Sequence, residues 1–95
     1  IPEDRWVDID LGISAQSMSL KATEMGLNAL CIGAFNAQMI TTTLALPYPP
    51  PLILAIGKGI EQIQLTEIAA QESHAYYRNN NIHYVPKVKL EDLII

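Results

Sequence analysis

From Asp8 to Phe35 the sequence presents a long apolar helical pattern, a glycine stop, a short apolar run and a turn of small residues. This order constrains the fold more than any other feature. Leu11, Ala15, Met18, Ala22 and Met25 follow one another at steps of four and three, so they share one helical face. Ile9, Ile13 and Leu20 add a second apolar strip, which leaves Gln16, Ser17, Lys21 and Glu24 for solvent. A helix apolar over that much of its circumference is expected to be buried on more than one side. Asp8 is the expected N-cap, and Asp10 adds negative charge in the first turn, where the helix dipole favours it. Gly26 is the expected left-handed C-cap. The helix should then run about 17 residues, or roughly 25 Å.

Leu27–Ile32 is apolar and too short for a helix, so it reads as a buried strand. It breaks at Gly33-Ala34-Phe35, after which Asn36 should cap a short helix reaching about Leu44. Pro47-Tyr48-Pro49-Pro50-Pro51 excludes helix and central strand, and predicts a rigid surface connection. Leu52–Ile56 reads as a second central strand ended by Gly57-Lys58-Gly59, and Gln62–Ile68 as extended structure. Asn79-Asn80-Asn81 lies between Ala75–Arg78 and Ile82–Val85; because Asn tolerates left-handed angles, a β-hairpin is expected there, with Pro86 stopping its second strand. Ile1–Arg5, polar and containing Pro2, reads as a linker or cut end, with Trp6 and Val7 packing back on the helix start. Leu90–Ile95 is too hydrophobic to float free and should dock on another chain or on a missing part.

The fold class expected from these elements is α+β, with the long helix central and packed on a mixed β-sheet. Ninety-five residues, 49% of them hydrophobic, suffice for one domain, residues 1–95, with a small core. A net charge of -4 argues against a general nucleic-acid or membrane-surface role. No apolar run reaches the ~18 residues of a membrane span. One cysteine forms no internal disulfide, and no Cys/His cluster suggests zinc, so a reducing cytoplasm is the expected location. A chain beginning with Ile is expected to be a processed or excised piece.

Several segments together resemble the nitroreductase family of FMN-dependent NAD(P)H oxidoreductases. They are Asp10-Leu11-Gly12-Ile13-Ser14-Ala15-Gln16-Ser17, Glu24-Met25-Gly26-Leu27, Cys31-Ile32-Gly33-Ala34-Phe35, Leu44 to Pro47, and Ala55-Ile56-Gly57. They occur in the family's order and spacing, and the chain resembles the C-terminal half of such a protein. The resemblance implies hydride transfer from NAD(P)H through FMN to nitro compounds, quinones or similar small acceptors. It also implies an interlocked homodimer, with the flavin at the interface, or a complex with the missing N-terminal half. The alternative is a non-catalytic α+β dimerisation module that has lost flavin binding.

Two groups of residues could hold the cofactor. A flavin needs hydrogen-bond donors and room for a flat ring against backbone. Cys31, Ile32, Gly33 and Ala34 form the turn that lies against the flavin ring in the resembled family, and Gly33 and Ala34 carry almost no side chain. Without the resemblance this is an ordinary strand-to-helix turn. Lys87 and Lys89 point the same way if their segment is extended, and two ammonium groups on one side suit a phosphate. The family has a similar Pro-Lys-X-Lys/Arg element that binds the FMN phosphate, though Val88 stands where relatives can carry another basic residue. Taken bare, the pattern is two solvated lysines. Cys31, in its apolar run, is expected to be a buried inert thiol. His74 and His83 lack a third metal ligand, Ser14, Ser17 and Ser19 lack a nucleophile elbow, and Gly57-Lys58-Gly59 is not a phosphate-binding loop. No catalytic side chain and no metal are expected.

Overall fold

The computed structural model describes all 95 residues. The chain forms two compact units, Ile1–Lys58 and Gly59–Ile95.

The first unit opens with α1, Glu3–Glu24. The helix starts six residues earlier than the Asp8 cap would place it, so the linker expected over Ile1–Arg5 is corrected. Pro2 precedes it with φ -56° and ψ 146°, and Arg5 N–H donates to Pro2 O at 3.0 Å. Glu3 and Asp4 fill the first turn, where the dipole favours anions, so nothing halts the helix before Pro2. Trp6 and Val7 are helical residues and exposed. Gly26 ends α1 as expected, at φ +78°. Leu27 N–H donates to Ala22 O at 2.8 Å and Gly26 N–H to Thr23 O at 3.0 Å, the paired bonds of a Schellman motif.

Strand β1, Asn28–Ile32, pairs antiparallel with β2, Ile53–Gly57, with Leu30 opposite Ala55. Between them lie the Gly33–Phe35 turn, α2 (Ala37–Thr43) and the proline-rich connection. Asn36 caps α2, its Oδ1 accepting from Met39 N–H at 3.0 Å. A second Schellman motif closes α2 around Ala45, a non-glycine residue at φ +52°, with Leu46 N–H bonded to Thr41 O at 3.0 Å. The expected sheet partnership of the two apolar strands is present, and α1 packs on it. Their expected depth is not. The sheet has two strands, so neither is central, and Leu30, Cys31, Ala55 and Ile56 are exposed. Only Ala15 and Ala22 of α1 are buried, while Ile13, Met18, Leu20 and Met25 stay open. One two-stranded ribbon covers one narrow stripe of a helix, so the burial expected on several sides is not supplied by residues 1–58.

In the second unit β3, Gln62–Ile68, runs parallel to β5, Ile82–Val88, and β4, Tyr77–Asn79, runs antiparallel to β5, giving the order β3-β5-β4. Asn80 and Asn81, both at positive φ (51° and 66°), form the two-residue hairpin loop. Pro86 does not stop β5. Lys89 N–H points to β3, donating to Ile68 O at 2.9 Å, so alternation turns the Pro86 nitrogen toward the opposite edge. There β4 ends with Tyr77 opposite Tyr84, and no ladder bond is lost. Val85 and Pro86 are buried, and Tyr77 stacks on Tyr84 with ring centroids 4.8 Å apart. A single 3-10 turn, Leu90–Asp92, follows, and Leu93, Ile94 and Ile95 are exposed. The structure is thus α+β with one long helix; the mixed pairing lies in the second sheet, whereas α1 packs on the antiparallel pair.

Candidate functional site

The turn is built by the end of β1 and the cap of α2. Ile32 is the last β1 residue in the ladder, opposite Ile53, and the Asn36 side chain fixes the entrance to α2 three residues beyond the turn's start. Cys31, Gly33 and Ala34 are exposed and Ile32 is half-buried. The expected buried thiol is therefore corrected: with no third strand and no helix over that position, Cys31 reaches solvent. Neither the Gly33 nor the Ala34 N–H is taken by a turn or cap hydrogen bond. A Cβ added to Gly33 would meet nothing within 4 Å, so the turn presents open backbone. Backbone donors without turn or cap partners, beside a position with no Cβ, can receive a ring that carries acceptor atoms.

An apolar groove of about 280 Å³ lies elsewhere on the same unit, lined by Met18, Lys21, Ala22, Met25, Leu27 and Ile56. Sequence periodicity placed Met18, Ala22 and Met25 on one stripe, but not the gap left beside them.

Lys87 and Lys89 belong to the second unit. Lys89 follows β5 with φ -61° and ψ 148°, so the strand's alternation continues and both lysines project from one face. Lys87 is exposed and forms no ion pair; its register partner on β3 is Glu67. Lys89 Nζ lies 4.0 Å from Glu91 Oε1. Glu67 and Glu91 were missed by the sequence reading. The only signal for Glu91 was an acid two residues after a lysine, and for Glu67 there was none before the parallel register was known. The structure therefore groups Cys31, Ile32, Gly33 and Ala34 in one turn and the two lysines on one strand face, the groups belonging to different compact units.

The perturbed ionisations are those of Glu61 and Arg78, both in the second unit. Arg78 Nε donates to Glu61 Oε2 at 2.7 Å and a terminal nitrogen donates to Glu61 Oε1 at 3.2 Å. This two-point hydrogen bond holds the Glu61 carboxyl below its ordinary range and raises Arg78. No three His, Cys, Asp or Glu side chains are placed to hold a metal ion. No helix is long and apolar enough to cross a membrane.

Comparison with known proteins bears on the first of the two units. The family model described as "Nitroreductase family" matches residues 2–58, which is the first compact unit almost residue for residue. A protein of Methanocaldococcus jannaschii named "Putative nitroreductase" is 35% identical over 57 residues. That match covers 60% of this chain and 29% of the relative, so the chain matches less than a third of the relative's length. Gly12, Gly26 and the Cys31–Phe35 turn fall inside the matched region, and Lys87 and Lys89 fall beyond it. With the family model covering more than half of its residues, the chain belongs to the nitroreductase family.

Proposed function

We propose that the intact protein is an FMN-dependent oxidoreductase that passes hydride from NAD(P)H to a nitro compound, quinone or similar small acceptor. Family membership over residues 2–58 carries this reading, because the open Gly33–Ala34 turn lies within them. The turn suits a flavin ring: two N–H groups without turn or cap partners and no Cβ on Gly33. Lys87 and Lys89, two ammonium groups on one strand face, suit its phosphate. When bound, FMN supplies the redox chemistry, and the protein's residues hold and orient it. Cys31 and Ile32 lead from the β1 ladder into the turn, and Asn36 locks its exit by capping α2.

The same reading includes association, as a homodimer or with an N-terminal half. Trp6, Val7, Ile13, Met18 and Leu20 of α1 and its C-cap Met25 are exposed, more apolar surface than a soluble helix leaves open without a partner. Light scattering of residues 1–95 alone should give a dimer or larger species, and a clean 10.5 kDa monomer in dilute buffer would remove this part.

FMN titration of the full-length protein, followed by flavin fluorescence, tests the site. A charged hydrogen bond is worth about 1.5–3 kcal/mol, so Lys87→Ala or Lys89→Ala should weaken FMN roughly ten- to a hundredfold. Gly33→Val keeps the N–H but places a branched side chain where the ring would lie, and should abolish ring binding while sparing the phosphate. Wild-type affinity in all three variants would refute the assignment. The second reading, a non-catalytic association module, is favoured by the exposure of α1 and by the lysines lying beyond the matched residues. Intact protein that is colourless after incubation with FMN and removal of free flavin would favour it.

A further inference from the structure

The lysine pair is asymmetric. Lys87 has no ion pair, whereas Lys89 Nζ lies 4.0 Å from Glu91 Oε1. The backbone around Lys89 is pinned from both sides: its N–H donates to Ile68 O at 2.9 Å and its carbonyl accepts from Asp92 N–H at 3.1 Å. Asp92 Oδ2 in turn accepts from Ala70 N–H at 3.1 Å, which ties the turn carrying Glu91 to the end of β3. Asp92 is thereby committed to the backbone, and Glu91 is left as the carboxylate beside Lys89. A competitor fixed two residues away acts at a high effective concentration.

Resting on the reading of Lys87 and Lys89 as a phosphate site, we propose that Glu91 competes with the flavin phosphate for Lys89. Phosphate binding then displaces this carboxylate, and Glu91 sets the affinity of the site below what two free lysines would give. The displacement is feasible. The two side chains are 36% and 71% exposed, so their pairing is weak. A phosphate monoester carries about -1.5 to -2 charge near neutral pH and can engage both lysines. Its oxygens would also be repelled by a carboxylate left in place.

The test titrates the full-length chain, wild type and variants, with FMN and with riboflavin, the same ring without the phosphate. An exposed pair is worth about 0.2–1 kcal/mol, so Glu91→Gln should bind FMN about 1.5- to 5-fold tighter. Its riboflavin affinity should not change. In the Lys89→Ala background the same substitution should move FMN affinity by less. If Lys89→Ala weakens FMN while Glu91→Gln leaves it unchanged, or tightens riboflavin equally, competition is overturned and the phosphate site survives. If Lys89→Ala leaves FMN affinity unchanged, the phosphate site itself is wrong and the competition falls with it.

Discussion

Gly12 and Gly26 lie in and just after the same helix, and adding one methyl group to each should shift stability in opposite directions. A Cβ at either position would meet nothing within 4 Å, so neither substitution is decided by a clash. Only backbone terms remain. Gly12 sits inside α1, where Ala is better than Gly by about 0.8–1 kcal/mol. Gly26 holds φ +78°. A side chain in the left-handed region costs roughly 1–2 kcal/mol, and the stiffer unfolded chain returns about 0.4–1 of that. Gly12→Ala should therefore stabilise by about 1 kcal/mol, and Gly26→Ala should destabilise by about the same. With a urea slope of about 1 kcal/mol per molar, each midpoint should shift by about 1 M from wild type, in opposite directions. The assay is urea unfolding of the full chain followed by helical circular dichroism at fixed protein concentration. Shifts of the same sign would refute the argument. A Gly12→Ala loss that grew with protein concentration would instead locate a second chain against that face.

Asn36→Ala should cost about 1 kcal/mol by freeing the Met39 N–H it now accepts from, readable by the same unfolding assay. Asn36→Ser should recover most of that loss. Glu61 is held below its ordinary pKa by hydrogen bonding from Arg78, so its contribution is present above the unfolded-state value and is lost as pH falls through the folded one. Carboxyl NMR should show Glu61 titrating below the ordinary glutamate value; Arg78→Gln should return it toward that value, and no movement would refute the cause. At the hairpin, Asn81→Gly relieves a non-glycine residue at φ +66° and should leave stability equal or higher by up to about 1 kcal/mol, whereas Asn81→Val should lower it.

What could be read before any coordinates was whatever carried a local marker. Gly26, Asn36 and the Asn80–Asn81 pair each announce a backbone conformation through their own chemistry, and each element boundary beside them was found. The start of α1 carried two markers, Pro2 and Asp8, and local rules alone did not rank them. Pro86 misled for a different reason: a proline forbids a ladder bond only on the side its nitrogen faces, and that side is set by β3, far away in sequence. The candidate turn was legible because its residues are contiguous. The acids near the lysines were not, because Glu67 comes opposite Lys87 only through a parallel register that no spacing encodes. The helix pattern told that α1 wants cover on several sides, but periodicity does not say whether the cover belongs to the same chain.

The order β3-β5-β4 also has a bearing on how residues 59–95 behave in solution. β4 closes one side with only three residues, too few to template another strand. β3 forms the other side with seven, and its outward N–H and C=O groups have no neighbour in this sheet. Glu67 is its one charged side chain, while Ile63 and Leu65 are exposed along it. Long rims with so little charge recruit further strands, so overexpressed material is expected to aggregate there first. A lysine at Gln64 would act as a gatekeeper, blunting that rim while leaving the face that carries Lys87 and Lys89 and the Cys31–Phe35 turn unaltered.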